Sequence, residues 1–248
     1  MTVPARTGSD RTESAPTGSD PTRSVPAEPA RPNKQRLIPL RFRPAAVAIL
    51  VACGITVGVL SALFYHGRTP DALDRAVFRV VWPHRTGLDP LAAVGDTVPM
   101  AVLTAALCYC CLALRRYRGA IMVAVAVPMA SGITELLKHL IHRVYIDFLS
   151  FPSGHTTATF ALITCVAVLL IDPPATKAPP SMRIVIGLLA AGFGVAVALG
   201  LVAAKFHYVT DTIGGAAVGI GVTLALALAL DVAAPRLDRG RGRGPQAG

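Results

Sequence analysis

Charged residues are scarce in this chain: they make up 15% of its 248 residues, whereas hydrophobic residues make up 53%. Soluble domains carry roughly a quarter of charged residues, so this composition excludes an ordinary soluble fold. Long apolar runs that alternate with short polar stretches are typical of a polytopic helical membrane protein. We therefore predict an all-α fold, a bundle of membrane-spanning helices.

Acidic residues are scarcer than basic ones, with 14 against 24, and the formal net charge is +10. Much of the positive charge lies in the two tails, where almost no aromatic residues are interleaved with it. This pattern argues against a nucleic-acid partner. Cationic residues that flank apolar spans set topology and meet anionic lipid headgroups, which are the partners we expect for the tails.

Cysteine is rare, and all five residues fall inside apolar runs. Their odd number and surroundings exclude a disulfide framework. Cys108, Cys110 and Cys111 are close in sequence, but no second cysteine pair accompanies them. We interpret them as small apolar helix residues and predict neither a metal site nor a cofactor.

The chain divides into three parts. Residues 1–44 are rich in Pro, Ser, Thr and Arg, so we expect a disordered basic arm in the cytoplasm. This arm does not resemble a secretory signal, because the first apolar segment begins too late. Residues 45–233 contain the membrane domain, and residues 234–248 are expected to form a second flexible basic tail.

The membrane domain is predicted to contain six transmembrane helices. Their expected ranges are 45–65, 91–114, 119–141, 155–171, 183–204 and 212–233. Because both tails are basic, the positive-inside rule places the N- and C-termini in the cytoplasm. Helices three and five then run outward, and helices four and six run inward.

This orientation gathers three polar clusters on the extracytoplasmic face. The clusters are Lys138–His139–His142–Arg143, Pro152–Ser153–Gly154–His155 and Lys205–His207–Asp211. Ionisable residues next to a bilayer are costly and indicate a functional site. Fixed positive charge, a glycine turn and two histidines suit removal of a phosphoryl group.

The first cluster has two readings. Glu135, Lys138, His139 and His142 follow helical spacing and share one face. They form either an interfacial stripe, with Lys138 paired to Glu135, or the beginning of a metal site. No complete ligand set follows at a familiar spacing, so we predict no metal.

The second and third clusters also have a structural alternative each. Ser153 and Gly154 suit a helix start whose free N–H groups bind an anion, although an ordinary N-cap beside a surface His155 fits as well. Asp211 follows His207 by four residues and can orient its imidazole, as in a catalytic triad. The alternative is an ion pair that closes a tight loop.

Together these residues resemble the type 2 phosphatidic acid phosphatase family, lipid phosphate phosphatases that share a helical core with vanadium haloperoxidases. The resemblance rests on Pro-Ser-Gly-His, on His-x-x-x-Asp and on the cations at the end of helix three, and it covers roughly residues 90–230. It implies that His207 is a nucleophile forming a phosphohistidine, that Asp211 orients it and that His155 protonates the leaving group.

The family also implies a phosphate cradle without a metal. Lys138 and Arg143 would hold the phosphoryl oxygens, and Ser153 with the Gly154 N–H would complete the site. The chain lacks two arginines of the family pattern. Tyr145-Ile146 stands in place of Arg-Pro, and Gly200-Leu201 in place of Ser-Arg. Lys205 is a candidate replacement, although lysine matches phosphate less well than arginine does.

We therefore expect an integral cell-membrane lipid phosphatase that acts on a phosphomonoester or diphosphate, with polyprenyl diphosphates and phosphatidate-like lipids as candidates. A lipid-linked phosphotransferase and a catalytically impaired lipid-binding scaffold are the alternatives. Segment 66–89 is either an amphipathic lid with Trp82 at the interface or an inert connector. Gly215 and Gly219 are expected to serve helix packing.

Overall fold

The computed structural model describes residues 36–171 and 179–241, which are mostly helical, as the composition predicts. In chain order the elements are α1 (Arg43–Phe64), α2 (Ala72–Val81), α3 (Arg85–Val94), α4 (Thr97–Ala113), α5 (Tyr117–Ile141), β1 (Val144–Tyr145), β2 (Phe148–Leu149), α6 (Gly154–Ile171), α7 (Pro180–Ala203) and α8 (Val209–Arg241). Short 3-10 turns, Leu40–Phe42 and Trp82–His84, precede α1 and α3. The two strands pair antiparallel in a hairpin.

Three helices, α5, α6 and α8, pack against one another at the centre of the bundle. Helix α1 lies against α8, α4 against α5, and α7 against α6, while the short α3 packs along α7. The core between the central helices contains many small residues, among them Ala126, Cys165 and Ala227. Small side chains let helix backbones approach closely where lipid supplies no hydrophobic driving force.

Glycines on α8 permit the closest of these approaches, as the sequence predicts. A Cβ added to Gly219 would collide with the Thr157 carbonyl oxygen and would lie 2.8 Å from the Ala161 backbone nitrogen. A Cβ on Gly215 would collide with the Ser153 carbonyl oxygen. Helix α8 therefore presses directly against the beginning of α6, where the second polar cluster lies.

Five helices, α1, α5, α6, α7 and α8, are long and apolar enough to cross a membrane. The second predicted span, 91–114, is not a single helix in the structure. It is divided between the end of α3 and the 17-residue α4, which is shorter than the roughly 20 residues that a span requires. The described residues therefore contain five helices of full spanning length and not the six that were predicted.

The interruption lies at Gly95 and Asp96. Asp96 has the extended backbone of an N-cap residue, with φ −61° and ψ 158°, and begins α4. A Cβ on Gly95 would lie 3.2 Å from both His155 Cβ and Val197 Cγ1, so only a residue without a side chain fits there comfortably. An average of hydropathy over this segment conceals the break, because the flanking residues are apolar.

Both tails differ in part from their predicted boundaries. Leu37 and Ile38 belong to the predicted arm, yet they are buried, and their N–H groups donate to Asp231 at 2.8 and 2.9 Å. At the other end, α8 continues past residue 234 to Arg241. Residues 1–35 and 242–248, on which the remaining predictions for the tails fall, lie outside the described residues.

Candidate active site

At the end of helix α5, the cations Lys138 and Arg143 are directed to different places. His142 has φ 56°, a left-handed conformation that terminates the helix and turns the chain sharply. Lys138 remains on the last turn, where its Nζ lies 2.8 Å from Glu135 Oε1. The next residue, Arg143, turns into the protein and is completely buried. The two cations predicted to act together thus enter different surroundings.

Arg143 lies at the centre of a buried ionic network. Its Nη1 donates to Asp211 Oδ1 and to Thr210 Oγ1, both at 2.6 Å, and its Nη2 donates to Asp74 Oδ2 at 2.8 Å. The guanidinium also lies 3.7 Å from the centre of the Phe64 ring. A fully buried arginine between two carboxylates has its charge compensated within the protein. This placement differs from the expected direct grip on phosphate.

Asp74 connects α2 to this network. Its Oδ1 accepts hydrogen bonds from the Thr210 N–H at 3.0 Å and from Thr210 Oγ1 at 2.8 Å. Sequence reasoning missed this residue, because Asp71 and Asp74 have the spacing of a local capping box and do form one. The second role of Asp74 comes from contacts with residues more than sixty positions away.

His207 lies in the turn before α8 and is only 7% exposed. The turn is sharp because Lys205 has φ 59°. His207 Nδ1 faces Asp211 Oδ2 at 3.7 Å, an ion-pair distance that exceeds a hydrogen bond. With Nδ1 on the carboxylate side, Nε2 forms the opposite edge of the ring. The order of groups is that of a histidine nucleophile with an acid behind it, although Nδ1 makes no hydrogen bond within the described residues.

The Pro-Ser-Gly-His segment joins the other two clusters at the start of α6. Ser153 is buried and acts as the N-cap: its Oγ accepts from the Thr156 N–H at 3.4 Å. Its own N–H donates to the Asp211 carbonyl oxygen at 3.0 Å. A Cβ on Gly154 would lie 3.7 Å from Lys138 Nζ, so the lysine ammonium is next to the first turn of α6.

His155 on that first turn has an acidic partner that sequence reasoning did not identify. Its Nε2 lies 3.0 Å from Asp96 Oδ1, at the break between α3 and α4. The His155 and His207 ring centres are 6.2 Å apart. Each histidine therefore has its own carboxylate.

The two positions without the family arginines hold a neutral and an apolar side chain, Tyr145 and Leu201. Leu201 is completely buried and packs with Ala92 and Val197. Tyr145 is half-buried and makes an edge contact with the Tyr208 ring, 4.5 Å away. Burial raises the pKa of the Tyr145 phenol, and the negative charge of Asp211 raises this pKa further. The phenol is therefore a neutral hydrogen-bond donor at physiological pH.

Lys205 turns away from the first two clusters. Its Nζ lies 4.1 Å from the Trp82 ring centre and 5.7 Å from that of Phe78, both on the segment that includes α2. The segment 66–89 thus folds over the site mainly as α2 and the following 3-10 turn. Within residues 36–171 and 179–241, no cluster of three or more metal-binding side chains occurs.

A groove of about 610 Å³ runs between α4 and α5 and ends at the polar clusters. Its polar end holds Glu135, Lys138, Gly154 and His155, and its walls are largely apolar or small. It extends along α5 as far as Ala124, fourteen residues from Lys138. At 1.5 Å per residue this is about 21 Å, more than half of a typical hydrocarbon core.

Comparison with known proteins agrees with the class that the helical bundle and this site define, a membrane phosphatase. The chain belongs to the PAP2 superfamily, whose family model matches residues 45–233. This confirms the resemblance to the type 2 phosphatidic acid phosphatases. No curated protein matches the chain.

The fold is similar to a solved structure, the first transmembrane PAP2 type phosphatidylglycerolphosphate phosphatase from Bacillus subtilis. The TM-score is 0.60 at 18% sequence identity, with 74% of this chain and 96% of that chain covered. At this identity the likeness concerns the fold. Family and fold together support a multi-pass membrane phosphatase.

Proposed function

We propose that this protein is an integral-membrane lipid phosphatase that hydrolyses a lipid phosphomonoester or diphosphate at the extracytoplasmic face. The observation that carries the proposal is the pair formed by His155, at the polar end of the apolar groove, and His207, whose ring centre lies 6.2 Å from that of His155. A substrate with its chain between α4 and α5 would place its phosphate beside both imidazoles. Polyprenyl diphosphates and phosphatidate-like lipids have the required shape.

In the first step His207 Nε2 attacks phosphorus, and the bond from phosphorus to the lipid oxygen breaks. Asp211 faces Nδ1 and stabilises the positive charge that develops on the ring. The departing oxygen takes a proton from His155. Because Asp96 holds His155 Nε2, Nδ1 is the ring nitrogen left to exchange a proton with the substrate.

In the second step water attacks the phosphohistidine from the side that the lipid oxygen has left. His155 accepts the proton of the water, the phosphorus–Nε2 bond breaks, and inorganic phosphate is released. The lipid product, an alcohol or a shorter phosphate, keeps its chain in the groove until it diffuses into the bilayer. The same histidine thus acts as acid and then as base.

The phosphate cradle proposed from the sequence changes in one respect. Lys138 and the N–H groups at the start of α6 lie together and suit the phosphoryl oxygens. Ser153 shapes that helix start as its cap. Arg143 instead positions Asp211, and through it His207, because its Nη donors already bind carboxylates. This mechanism uses no metal, since fixed cations and backbone amides stabilise the developing charge.

The extracytoplasmic placement is supported by the opposite end of the bundle, where the basic residues collect. Arg43 and Arg118 lie 3.4 and 3.5 Å from the same carboxylate, Asp231. Arg116 and Arg183 donate to carbonyl oxygens at the end of α6, far from His155 at its start. Under the positive-inside rule this basic end is cytoplasmic, so the histidines face outward.

An inactive lipid-binding scaffold is the second candidate, favoured by the neutral Tyr145 and the apolar Leu201 at the arginine positions. The test is phosphate release by the detergent-purified full chain from a panel of lipid monophosphates and diphosphates, with and without a chelator. Release that persists with the chelator supports the proposal, and release that the chelator abolishes contradicts the metal-free mechanism. Lipid binding without release identifies a scaffold, and phosphate passed to another lipid identifies a transferase.

A further inference from the structure

A second cavity, of about 400 Å³, lies beside His207. It is formed by α2, the β-hairpin and the turn before α8. The side chains of Lys205, Arg75, Tyr145 and Tyr208 contribute to its lining, together with His207 itself. His155 lines the groove between α4 and α5, whereas His207 lines this second cavity. Each of the two histidines therefore lines a different cavity.

The linings of the two cavities differ in chemistry. The groove is bordered by side chains such as Met100, Ala101 and Val127, which suit hydrocarbon. The second cavity has two cations, Lys205 and Arg75, and two phenols. One carboxylate, Asp74, also borders it, but that group already accepts hydrogen bonds from Arg143 and Thr210. The remaining charge that a ligand meets there is positive.

The two products of the proposed reaction have opposite solubilities. The lipid product keeps its hydrocarbon chain and can leave through the groove into the bilayer. Inorganic phosphate is an anion with a high cost of transfer into an apolar environment. It is formed beside His207, where the phosphorus–nitrogen bond breaks. The cavity next to His207 is the one whose lining can receive it.

We propose that this second cavity is a binding site for inorganic phosphate on its way out of the enzyme, with Lys205 and Arg75 as its anion-binding residues. The proposal rests on the proposed phosphatase function. Lys205 Nζ is held over the Trp82 ring, 4.1 Å from its centre, so its position is fixed by the 3-10 turn that follows α2. Arg75 uses Nη1 to bind the Pro70 carbonyl oxygen at 2.8 Å, and the rest of its guanidinium is available.

The cavity suits a tetrahedral phosphate oxyanion, which has two possible sources: free inorganic phosphate and the headgroup of a lipid phosphate. The kinetic test therefore separates the two sources. It compares the inhibition constant Ki of added inorganic phosphate with the KM of the lipid substrate in the double variant Lys205→Met/Arg75→Met. Methionine keeps an apolar stem against α2 and removes the charge. Arg79→Met, on the same helix but outside this cavity, is the matched control.

The proposal predicts that Ki rises about tenfold or more in the double variant, the loss expected for charge-assisted hydrogen bonds. The KM of the lipid rises less than Ki, and both constants stay at their original values in Arg79→Met. An unchanged Ki would overturn the proposal. Equal rises in Ki and KM would also overturn it, because they would place both cations in the lipid phosphate site.

A second measurement does not depend on turnover. Inorganic phosphate that binds the folded chain raises its Tm in proportion to the logarithm of the phosphate concentration. We expect this rise in the original chain and in His155→Ala, and its loss in the double variant. Absence of the rise in the original chain would overturn the site. If phosphate raises the Tm of the original chain but that chain hydrolyses none of the lipids, the phosphatase function is refuted and the phosphate site is not.

Discussion

Asp74 accepts a hydrogen bond of 2.8 Å from the buried guanidinium of Arg143, which in turn holds the carboxylate beside His207. The contact joins α2, a helix outside the motifs of the sequence, to the proposed nucleophile. This contact fixes the position of α2 beside the site. In the proposed mechanism Arg143 therefore positions Asp211.

The first prediction concerns the stability of this network. Asp74→Ala leaves Arg143 with one carboxylate fewer in a fully buried position, so the free energy of unfolding should fall by about 3–5 kcal/mol. Equilibrium unfolding in detergent measures this change. Asp147→Ala, an exposed acid in the hairpin turn, should change the same quantity by less than about 0.5 kcal/mol. Equal losses in the two variants would refute the network's role.

The second prediction concerns proton transfer by His155. His155→Ala should lower kcat on lipid phosphates by roughly a hundredfold or more, the range of a general acid, and Asp96→Asn by a smaller factor. A substrate with a good leaving group, such as p-nitrophenyl phosphate, needs little protonation, so its first step should suffer much less. The first step on p-nitrophenyl phosphate is followed as the burst of p-nitrophenol, because His155 also serves as the base of the second step. Equal losses in the rate of the first step on both substrates would show that His155 has only a structural role.

The third prediction concerns the missing cation. Tyr145→Arg places a guanidinium at the position of the family's phosphate-binding arginine, so kcat/KM should rise by roughly tenfold. Tyr145→Phe, which removes only the phenolic hydroxyl, should lower kcat/KM by severalfold. Steady-state kinetics on one lipid phosphate compare the three proteins. If Arg performs no better than Phe, Tyr145 does not occupy the position of a phosphate contact.

The fourth prediction concerns the groove. Ala105→Phe fills the apolar space between α4 and α5, so KM should rise several times for long-chain lipids and stay constant for a short soluble phosphate ester. Val102→Phe, on the same helix but on its exposed side, is the control and should leave both values unchanged. A rise in KM for the short ester as well would show damage to the site rather than a filled groove.

The sequence predicted the helical class and the three clusters because both depend on local signals. Apolar runs identify helices by composition alone, and Pro-Ser-Gly-His identifies a helix start within four residues. The structure brings Lys138, Gly154, His155 and His207 to one end of the bundle, as the topological argument expects.

The parts that the sequence did not predict depend on contacts between distant segments. Asp74 and Thr210 are separated by 136 positions, and Asp96 and His155 by 59. The local pattern around each acid, a capping box for Asp74 and a helix start for Asp96, is that of an ordinary helix N-terminus and does not indicate the distant partner. The contacts of Arg143 were unpredictable for the same reason: its position in the chain indicates proximity to the site, but not which groups its donors bind.

The most direct test of the account is to trap the intermediate on His207. The purified chain is mixed with a lipid phosphate, quenched within one turnover and examined by mass spectrometry under conditions that preserve phosphohistidine. We predict phosphate on His207, and in His207→Ala no phosphohistidine and a loss of release by roughly a thousandfold or more. His84→Ala, an exposed histidine outside the site, should behave as the original chain. Phosphate on another residue, or undiminished release by His207→Ala, would contradict the account.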